Sequence, residues 1–306
     1  MISPLASLRR SCFLLALLTG FATWSAMQSY AQVHPAPPGP MAQNPSPMVE
    51  HTRAHPRLTE EHPPGERYPL AVGTLFVPAA SEPRAGVRLL FFFHGGGWIP
   101  EVAVARERRM AVVAIQAGAG SSRYASLFGD PATFPKLISE AETKSGHRFT
   151  EVILGGWSAG CGAIRQILRD PASAERVARV LCIDGVHAGY ANGAPGPQES
   201  QLDAADLDAW LAFGREAIAG RKRLLITHSE IFPGTFASTT ETADYLLRAW
   251  GLQPHPVLAW GPMGTQMLSR VRAGGLLVVG FAGNSAPDHV DQMQSLPEYL
   301  AWLMKL

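Results

Sequence analysis

Apolar runs that alternate with helical segments constrain the fold of this chain more than any other feature of its sequence. Four or five of seven strand-like segments are apolar throughout, which is typical of strands covered on both faces. The intervening segments have helical periodicity, so we predict an α/β fold with a mostly parallel central sheet covered by helices on both faces. The strand-like segments are 70–78, 87–94, 111–117, 149–157, 177–185, 222–229 and 274–283.

The overall composition favours one globular domain, of a size that a catalytic domain has, without a polyanionic partner. The chain has 306 residues, and its 26 basic and 25 acidic side chains give a net charge of +1. Charges of one sign do not form long blocks, so the sequence offers no electrostatic surface for nucleic acid or for an anionic membrane. We find no internal repeat, which argues against solenoids and propellers.

The amino-terminal residues 1–31 resemble a secretory signal peptide. Arg9 and Arg10 precede an apolar stretch that runs from Cys12 to Trp24, and Ser29 and Ala31 provide small residues for cleavage. The stretch is shorter than the roughly 18 residues expected of a membrane span, although an uncleaved anchor is the alternative. We therefore expect a secreted or periplasmic protein without a stable membrane span after cleavage.

Residues 32–69 are rich in proline, and we predict a linker or draped arm there, followed by a catalytic domain over residues 70–306. Cys161 and Cys182 remain once the signal is removed. An oxidising compartment permits a disulfide between them, and two buried free thiols are the alternative. Neither cysteine has a histidine at ligand spacing, so we expect no metal site.

The strand-to-helix junction at residues 156–160 reads Gly-Trp-Ser-Ala-Gly and is the strongest chemical motif in the chain. A serine on so sharp a turn has strained backbone angles, and the flanking glycines avoid collisions with neighbouring backbone. We therefore predict that Ser158 is an exposed nucleophile. A glycine-rich turn whose serine only caps the helix is the structural alternative.

A serine hydroxyl needs a base to remove its proton, and His289 has the most suitable position. It follows the last apolar strand and a loop, and it precedes the final helix, whereas His94 and His187 end earlier strands. An acid that orients the histidine is expected between the nucleophile and the base. Asp184 and Glu230 both follow strand ends, and the sequence favours Asp184 with Glu230 as the alternative.

The glycine-rich segment Phe-His-Gly-Gly-Gly-Trp at residues 93–98 follows another apolar strand. Acyl transfer develops negative charge on a carbonyl oxygen, which preorganised backbone N–H groups stabilise. We predict that Gly96, Gly97 and Ala159 donate these hydrogen bonds as an oxyanion hole. A plain bend between the strand and the following loop is the alternative.

Together, the segments 93–98 and 156–160 resemble the α/β-hydrolase superfamily, most closely its esterases and lipases of the hormone-sensitive-lipase type. The resemblance covers residues 70–306 and implies a sheet of about eight strands with one antiparallel strand. It also implies a serine, acid and histidine triad that hydrolyses carboxylic esters without a cofactor. Those esterases place the acid after the strand that ends here at Glu230, whereas the position of Asp184 is similar to that in pancreatic-type lipases.

The sequence thus predicts an exported serine esterase that acts on a small-molecule or polymer-linked ester. Two alternatives remain open at this stage. One is a serine peptidase or acyltransferase with the same residues, and the other is a binding protein that retains the fold without catalysis.

Overall fold

The computed structural model describes residues 54–79, 86–196 and 199–306. The predicted signal peptide, residues 1–31, and the larger part of the predicted linker lie outside the described residues. Among the helices that are described, none combines the length and the apolar character needed to cross a membrane.

Ten strands of the described chain form a single mixed sheet. Their spatial order is β1-β2-β4-β3-β5-β6-β7-β10-β9-β8. The strands are β1 (Gly65–Pro69), β2 (Thr74–Pro78), β3 (Val87–Phe93), β4 (Met110–Ile115), β5 (Phe149–Trp157), β6 (Val177–Ile183), β7 (Arg223–Ser229), β8 (His255–Trp260), β9 (Gln266–Ala273) and β10 (Leu276–Phe281).

The sheet is larger and less parallel than the expected eight strands with one antiparallel strand. Pairs among β4, β3, β5, β6, β7 and β10 are parallel. Antiparallel pairing joins β1 to β2, β2 to β4, β10 to β9 and β9 to β8. The unexpected strands at the two edges, β1 and β8, are short and largely exposed, so they lack the apolar pattern that reveals a central strand.

Helices cover both faces of the sheet. They are α1 (Trp98–Ala105), α2 (Ser121–Leu127), α3 (Thr133–Ser145), α4 (Cys161–Arg169), α5 (Pro171–Arg176), α6 (Asp208–Ile218), α7 (Thr239–Ala249), α8 (Ala286–Gln294) and α9 (Leu296–Met304). Side chains of α2, α3, α4, α6 and α7 form one apolar cluster with the sheet, and those of α1 and α9 form another on the opposite face.

The central strand β3 explains the continuous apolar runs. Leu89, Phe91 and Phe93 belong to the cluster on one face, whereas Leu90 and Phe92 belong to the cluster on the other. All five side chains have no solvent exposure. Because successive residues of a strand point to opposite faces, a strand that is covered on both sides must be apolar at every position.

The segment predicted as a linker or arm, residues 32–69, contributes to this architecture at its end. It contains β1, which pairs with β2, and a stretch before β1 that contacts α8. His55 Nδ1 lies 2.7 Å from Asp291 Oδ2, Arg57 Nε donates to Asp291 Oδ1 over 3.3 Å, and the Leu58 amide donates to Gln294 Oε1 over 3.1 Å. These polar contacts do not depend on an apolar face, so the proline-rich composition gave no sign of them.

Candidate active site

Ser158 follows β5 directly, in a turn of 3-10 helix that leads into α4. Its φ of 49° lies in the left-handed region, which costs a residue other than glycine about 1 kcal/mol or more. Gly160 permits the turn, because a Cβ there would lie 2.0 Å from the Phe93 carbonyl oxygen on β3. The glycine therefore lets the tight turn approach the neighbouring strand, and Ser158 is held on a strained backbone.

Asp184 follows β6, the neighbour of β5 in the sheet, and it is buried with a φ of 43°. Ser229 Oγ donates to Asp184 Oδ2 over 2.8 Å, and Thr239 Oγ1 donates to Asp184 Oδ1 over 2.6 Å. Burial by itself would raise the pKa of the carboxyl. The hydrogen bond and charge of His289 and the two hydroxyl donors outweigh burial, and they lower the pKa of Asp184 to about 2. The group is therefore an anion at neutral pH.

His289 contacts this carboxylate, with Nδ1 2.7 Å from Asp184 Oδ2. It lies within helix α8, not in the loop that the sequence suggested. Ser285 and Asp288 form a capping box at the start of this helix, and that Ser-x-x-Asp pattern was the overlooked signal. The helix fixes the backbone of the histidine, and the Asp184 carboxylate fixes its ring.

Ser158 and His289 line the same cavity, although no hydrogen bond joins the Ser158 hydroxyl to His289 in the described chain. Contacts between such groups are often long in free enzymes and shorten when substrate binds. Trp157 holds the histidine in place next to the serine. Its Nε1 donates to the His289 carbonyl over 3.0 Å, and the two rings have centroids 4.6 Å apart.

Glu230, the alternative acid, has a different environment at the end of β7. Its side chain is exposed, and it makes no hydrogen bond or ion pair with any residue that the structure describes. Its backbone N–H donates to the Gly283 carbonyl over 3.1 Å. The structure thus brings Asp184 to His289 and does not bring the Glu230 carboxylate there.

The three glycines after β3 have unequal surroundings. Gly95 has a φ of 103°, and a Cβ at this position would lie 2.3 Å from Met293 Sδ, whereas a Cβ on Gly97 would meet nothing within 4 Å. Gly97 caps α1, and the carbonyl oxygen of Gly96 accepts a hydrogen bond from the Ile99 amide over 3.1 Å. Position 95 therefore requires glycine, both for packing against Met293 and for its backbone conformation, whereas position 97 has open space beside it.

A cavity of about 490 Å³ opens beside Ser158. Of the predicted oxyanion-hole residues, Ala159 belongs to its described wall, whereas Gly96 and Gly97 do not. The wall also includes the loop after β7, which contributes apolar side chains near the serine. The lining residues are Gly120, Ser121, Ser122, Ser158, Ala159, Arg165, Asp184, His187, Ala188, Gly189, Asp206, Ile231, Pro233, Phe236, Ala237, Ser238, Thr239 and His289.

His187 and Arg165 line this cavity too, and the sequence did not identify either as a site residue. His187 follows Asp184 by three positions, and burial lowers its pKa to about 4, so the ring is neutral at neutral pH. Arg165 projects from α4 and pairs with Asp206, with Nη1 2.5 Å from Oδ1. Arg165 lies about two helical turns beyond Ser158, and His187 lies three residues beyond Asp184. These positions were the available signals in the sequence.

The two cysteines left after the predicted signal lie close to the turn that contains Ser158. Cys161 is the first residue of α4, and Cys182 lies on β6; both are buried free thiols. Burial raises the pKa of Cys182 well above its usual value, and a hydrogen bond with Cys161 contributes to this shift. A buried thiol of this kind is a poor nucleophile, so we assign neither cysteine to the chemistry.

His55, Asp288 and Asp291 are the group among the described residues that could hold a metal ion, with ligand atoms within 4.8 Å of one another. Asp291 already pairs with His55 and with Arg57. Asp288 caps the start of α8. We therefore interpret the cluster as the anchor between residues 55–58 and α8.

Comparisons with known proteins give structural neighbours without a sequence family. No family model matches the chain, and no curated protein matches it. The acetyl xylan esterase of Aspergillus awamori is 14% identical with a TM-score of 0.43, and the match covers 74% of this chain and 93% of the other. The carboxylesterase CesB of Bacillus subtilis is 13% identical with a TM-score of 0.42, covering 80% and 92%. Esterase 2 of Thermogutta terrifontis, phosphonylated by sarin, is 15% identical with a TM-score of 0.47, covering 80% and 96%.

Proposed function

We propose that this protein is a serine hydrolase that cleaves carboxylic esters through an acyl-enzyme. The observation that carries the proposal is the 2.7 Å contact between His289 and the buried anion Asp184, beside Ser158 on the wall of one cavity. A nucleophile on a strained turn, a base and an ionised orienting acid are the components that acyl transfer needs.

In the proposed mechanism, Asp184 accepts the Nδ1–H of His289, which leaves Nε2 able to take the proton of Ser158. The Ser158 oxygen attacks the ester carbonyl, and the protonated His289 then donates to the departing alcohol. Water deacylates the enzyme by the reverse sequence. Because Asp184 stays ionised well below neutral pH, it stabilises the imidazolium without taking the proton itself.

Backbone N–H groups would stabilise the developing oxyanion. The Ala159 amide follows the nucleophile directly and lies at the cavity, so it is the first donor. Gly96 and Gly97, at the start of α1, are the proposed further donors, and open space at Gly97 gives a substrate oxygen room to approach. Loss of one such donor typically costs about 3 kcal/mol of transition-state stabilisation.

The cavity favours a small or medium-sized substrate. Its volume of about 490 Å³ lies within the range of sites for small molecules. Export to a secreted or periplasmic location is a further part of the proposal, and it depends on the leader-like sequence of residues 1–31.

A fluorophosphonate probe tests the nucleophile. The folded protein should be labelled at Ser158, and Ser158→Ala should remove both the label and the hydrolysis of p-nitrophenyl esters. Ser126→Ala is the matched control, because Ser126 is exposed on α2 and its hydroxyl donates to the Ser122 carbonyl. An unlabelled Ser158 in folded protein would refute the proposal. Faster turnover of aminoacyl amides than of matched esters would identify a peptidase instead.

A further inference from the structure

The end of the predicted arm contacts both helices that border the candidate site. We call residues 55–67 the strap. It begins with the contacts of residues 55–58 to α8 and ends on β1 at Arg67, whose Nε donates to Glu101 Oε1 on α1 over 3.0 Å. A second nitrogen of Arg67 donates to the other carboxylate oxygen of Glu101. The strap therefore connects α8 to α1.

Buried acids are the targets of these contacts. Asp291 on α8 has no solvent exposure, and Glu101 on α1 is 9% exposed. Neither helix contains a lysine or an arginine. A buried carboxylate is costly unless positive charge and hydrogen bonds compensate it. The strap supplies such charges, from Arg57 to Asp291 and from Arg67 to Glu101, and so favours one position of each helix.

The same two helices carry groups that the proposed chemistry needs. Asp291 lies on α8 two positions after His289, the proposed base. Met293 of this helix packs against Gly95, where a Cβ would lie 2.3 Å from Met293 Sδ. Helix α1 begins directly after Gly97, a proposed oxyanion donor. A displacement of either helix would therefore move a reacting group away from the nucleophile.

The strap is itself restrained along its length. Its prolines, Pro56, Pro63 and Pro64, each fix a backbone φ. Arg67 Nη2 donates to the Pro63 carbonyl over 3.2 Å, and the Pro64 carbonyl accepts from the Ala79 amide over 3.0 Å. Pairing of β1 with β2 holds its end on the sheet. A segment restrained in this way can keep its two ends at a fixed separation.

We propose that the strap is a positioning element of the active site. Through His55 and Arg57 at one end and Arg67 at the other, it holds α8 and α1 where His289 and the oxyanion-hole amides face Ser158. The inference rests on the proposed esterase function and adds positioning residues to it. No residue of the strap belongs to the cavity wall, so the strap acts on turnover and not on substrate binding.

Variants at the two ends of the strap test its role in the full chain. His55→Leu/Arg57→Met releases α8, and Arg67→Met releases α1. Each should lower kcat for a p-nitrophenyl ester about tenfold and leave KM within about twofold, because misplaced reacting groups slow turnover while the substrate contacts remain. The triple variant should lose about 10²-fold in kcat.

Conservative variants and a matched control separate positioning from stability. His55→Asn/Arg57→Lys keeps a donor near the Nδ1 position and the positive charge, so its kcat should stay within about threefold of wild type. His62→Ala is the control, because His62 lies between the two ends and pairs with Glu60 of the strap itself over 3.5 Å. It should leave kcat within about twofold of wild type. Urea denaturation gives the folded fraction to which each kcat is normalised.

Proton NMR gives a readout that does not need turnover. The proton between His289 Nδ1 and Asp184 should give a low-field resonance, which His289→Gln identifies by its loss. This resonance should shift or disappear in His55→Leu/Arg57→Met and stay unchanged in His62→Ala.

Three results would overturn the positioning role. One is a wild-type kcat in folded His55→Leu/Arg57→Met and Arg67→Met, which would mean that the strap only stabilises the fold. Another is an equal loss of kcat in His62→Ala, and the third is an unchanged resonance when α8 is released. Absence of Ser158-dependent hydrolysis in wild type, with the resonance still lost on release of α8, would overturn the esterase proposal and leave the strap supported.

Discussion

The carboxyl ends of β6 and β7 lie side by side in the sheet, and each is followed by an acidic residue. Asp184 after β6 is buried and accepts hydrogen bonds from Ser229 and Thr239, whereas Glu230 after β7 is exposed. The two acids therefore share a topological position and differ in their surroundings. The comparison shows that each strand end brings an acid to the same edge of the sheet, and that hydroxyl donors on β7 and α7 hold one of the two, Asp184, in place.

The same donors explain why a carboxylate tolerates burial next to a histidine. Burial acts to raise the pKa of Asp184, and hydrogen bonds from His289, Thr239 and Ser229 more than offset it. A fixed, ionised acid needs no further ordering when His289 becomes protonated. An exposed carboxylate such as Glu230 would have to be ordered and desolvated first.

The largest expected effect is on the two acids themselves. Asp184→Asn should reduce kcat/KM for a p-nitrophenyl ester by about 10³- to 10⁴-fold, because the amide cannot hold His289 in the required tautomer. Glu230→Gln, the matched variant at the next strand end, should stay within about twofold of wild type. Steady-state kinetics at neutral pH measure both, and a greater loss in Glu230→Gln would reverse the assignment.

The sequence predicted the candidate site residues that follow the ends of central strands. The turn at Ser158 and the strand end at Asp184 follow apolar runs, and those runs are visible because both faces of the sheet are covered. The sequence analysis missed the helical position of His289, although Pro287 lies in the first turn of α8, where proline is well tolerated.

Other features depend on contacts between distant segments and leave no local pattern. The choice of Asp184 over Glu230 depends on Thr239, which lies 55 positions further along the chain. The anchoring of residues 55–58 depends on Asp291, more than 230 positions away. Such pairings are decided by tertiary packing, so spacing and periodicity cannot predict them.

The loops that follow β6 and β7 should also differ in their tolerance of an added methyl group. A Cβ on Gly185, after β6, would lie 2.5 Å from the Ser158 carbonyl oxygen and 2.6 Å from Cys161 Sγ. Gly185→Ala should displace the turn that contains Ser158 and lower kcat/KM by roughly 10²-fold, since small misplacements of reacting groups are costly.

Gly234, in the loop after β7, is the matched control. It has a φ of 77° with nothing within 4 Å of a Cβ, so Gly234→Ala should cost about 1 kcal/mol of unfolding free energy and leave kcat/KM within about threefold. Urea denaturation and ester kinetics measure the two quantities. Equal losses of activity in Gly185→Ala and Gly234→Ala would mean that the contact with Ser158 is unimportant.

Removal of one donor to Asp184 tests whether the hydroxyls distinguish the two strand ends. Thr239→Val keeps the side-chain shape and deletes the 2.6 Å hydrogen bond, so kcat/KM should fall about tenfold. Thr240→Val, at the neighbouring position on α7, is the control, because the Thr240 hydroxyl donates to the Ser229 carbonyl and not to Asp184. It should change kcat/KM by less than about twofold, and similar losses in both variants would assign the effect to α7 as a whole.

The smallest expected effect concerns His228, the residue two positions before Glu230 on β7. Burial lowers its pKa from 6.5 to about 4, opposed by the charge of Asp184, so the unfolded chain binds this proton at a higher pH than the folded one. The stabilisation from the neutral ring is present above pH 6.5 and is lost as the pH falls towards 4. Between pH 7 and 5.5 the unfolding free energy should fall by about 1 kcal/mol because of His228.

His228→Asn should lack that part of the fall, while His187, whose pKa is lowered similarly, contributes equally to both proteins. Urea denaturation at the two pH values measures the difference, and identical pH dependence in wild type and His228→Asn would show that the end of β7 is not desolvated as the structure requires.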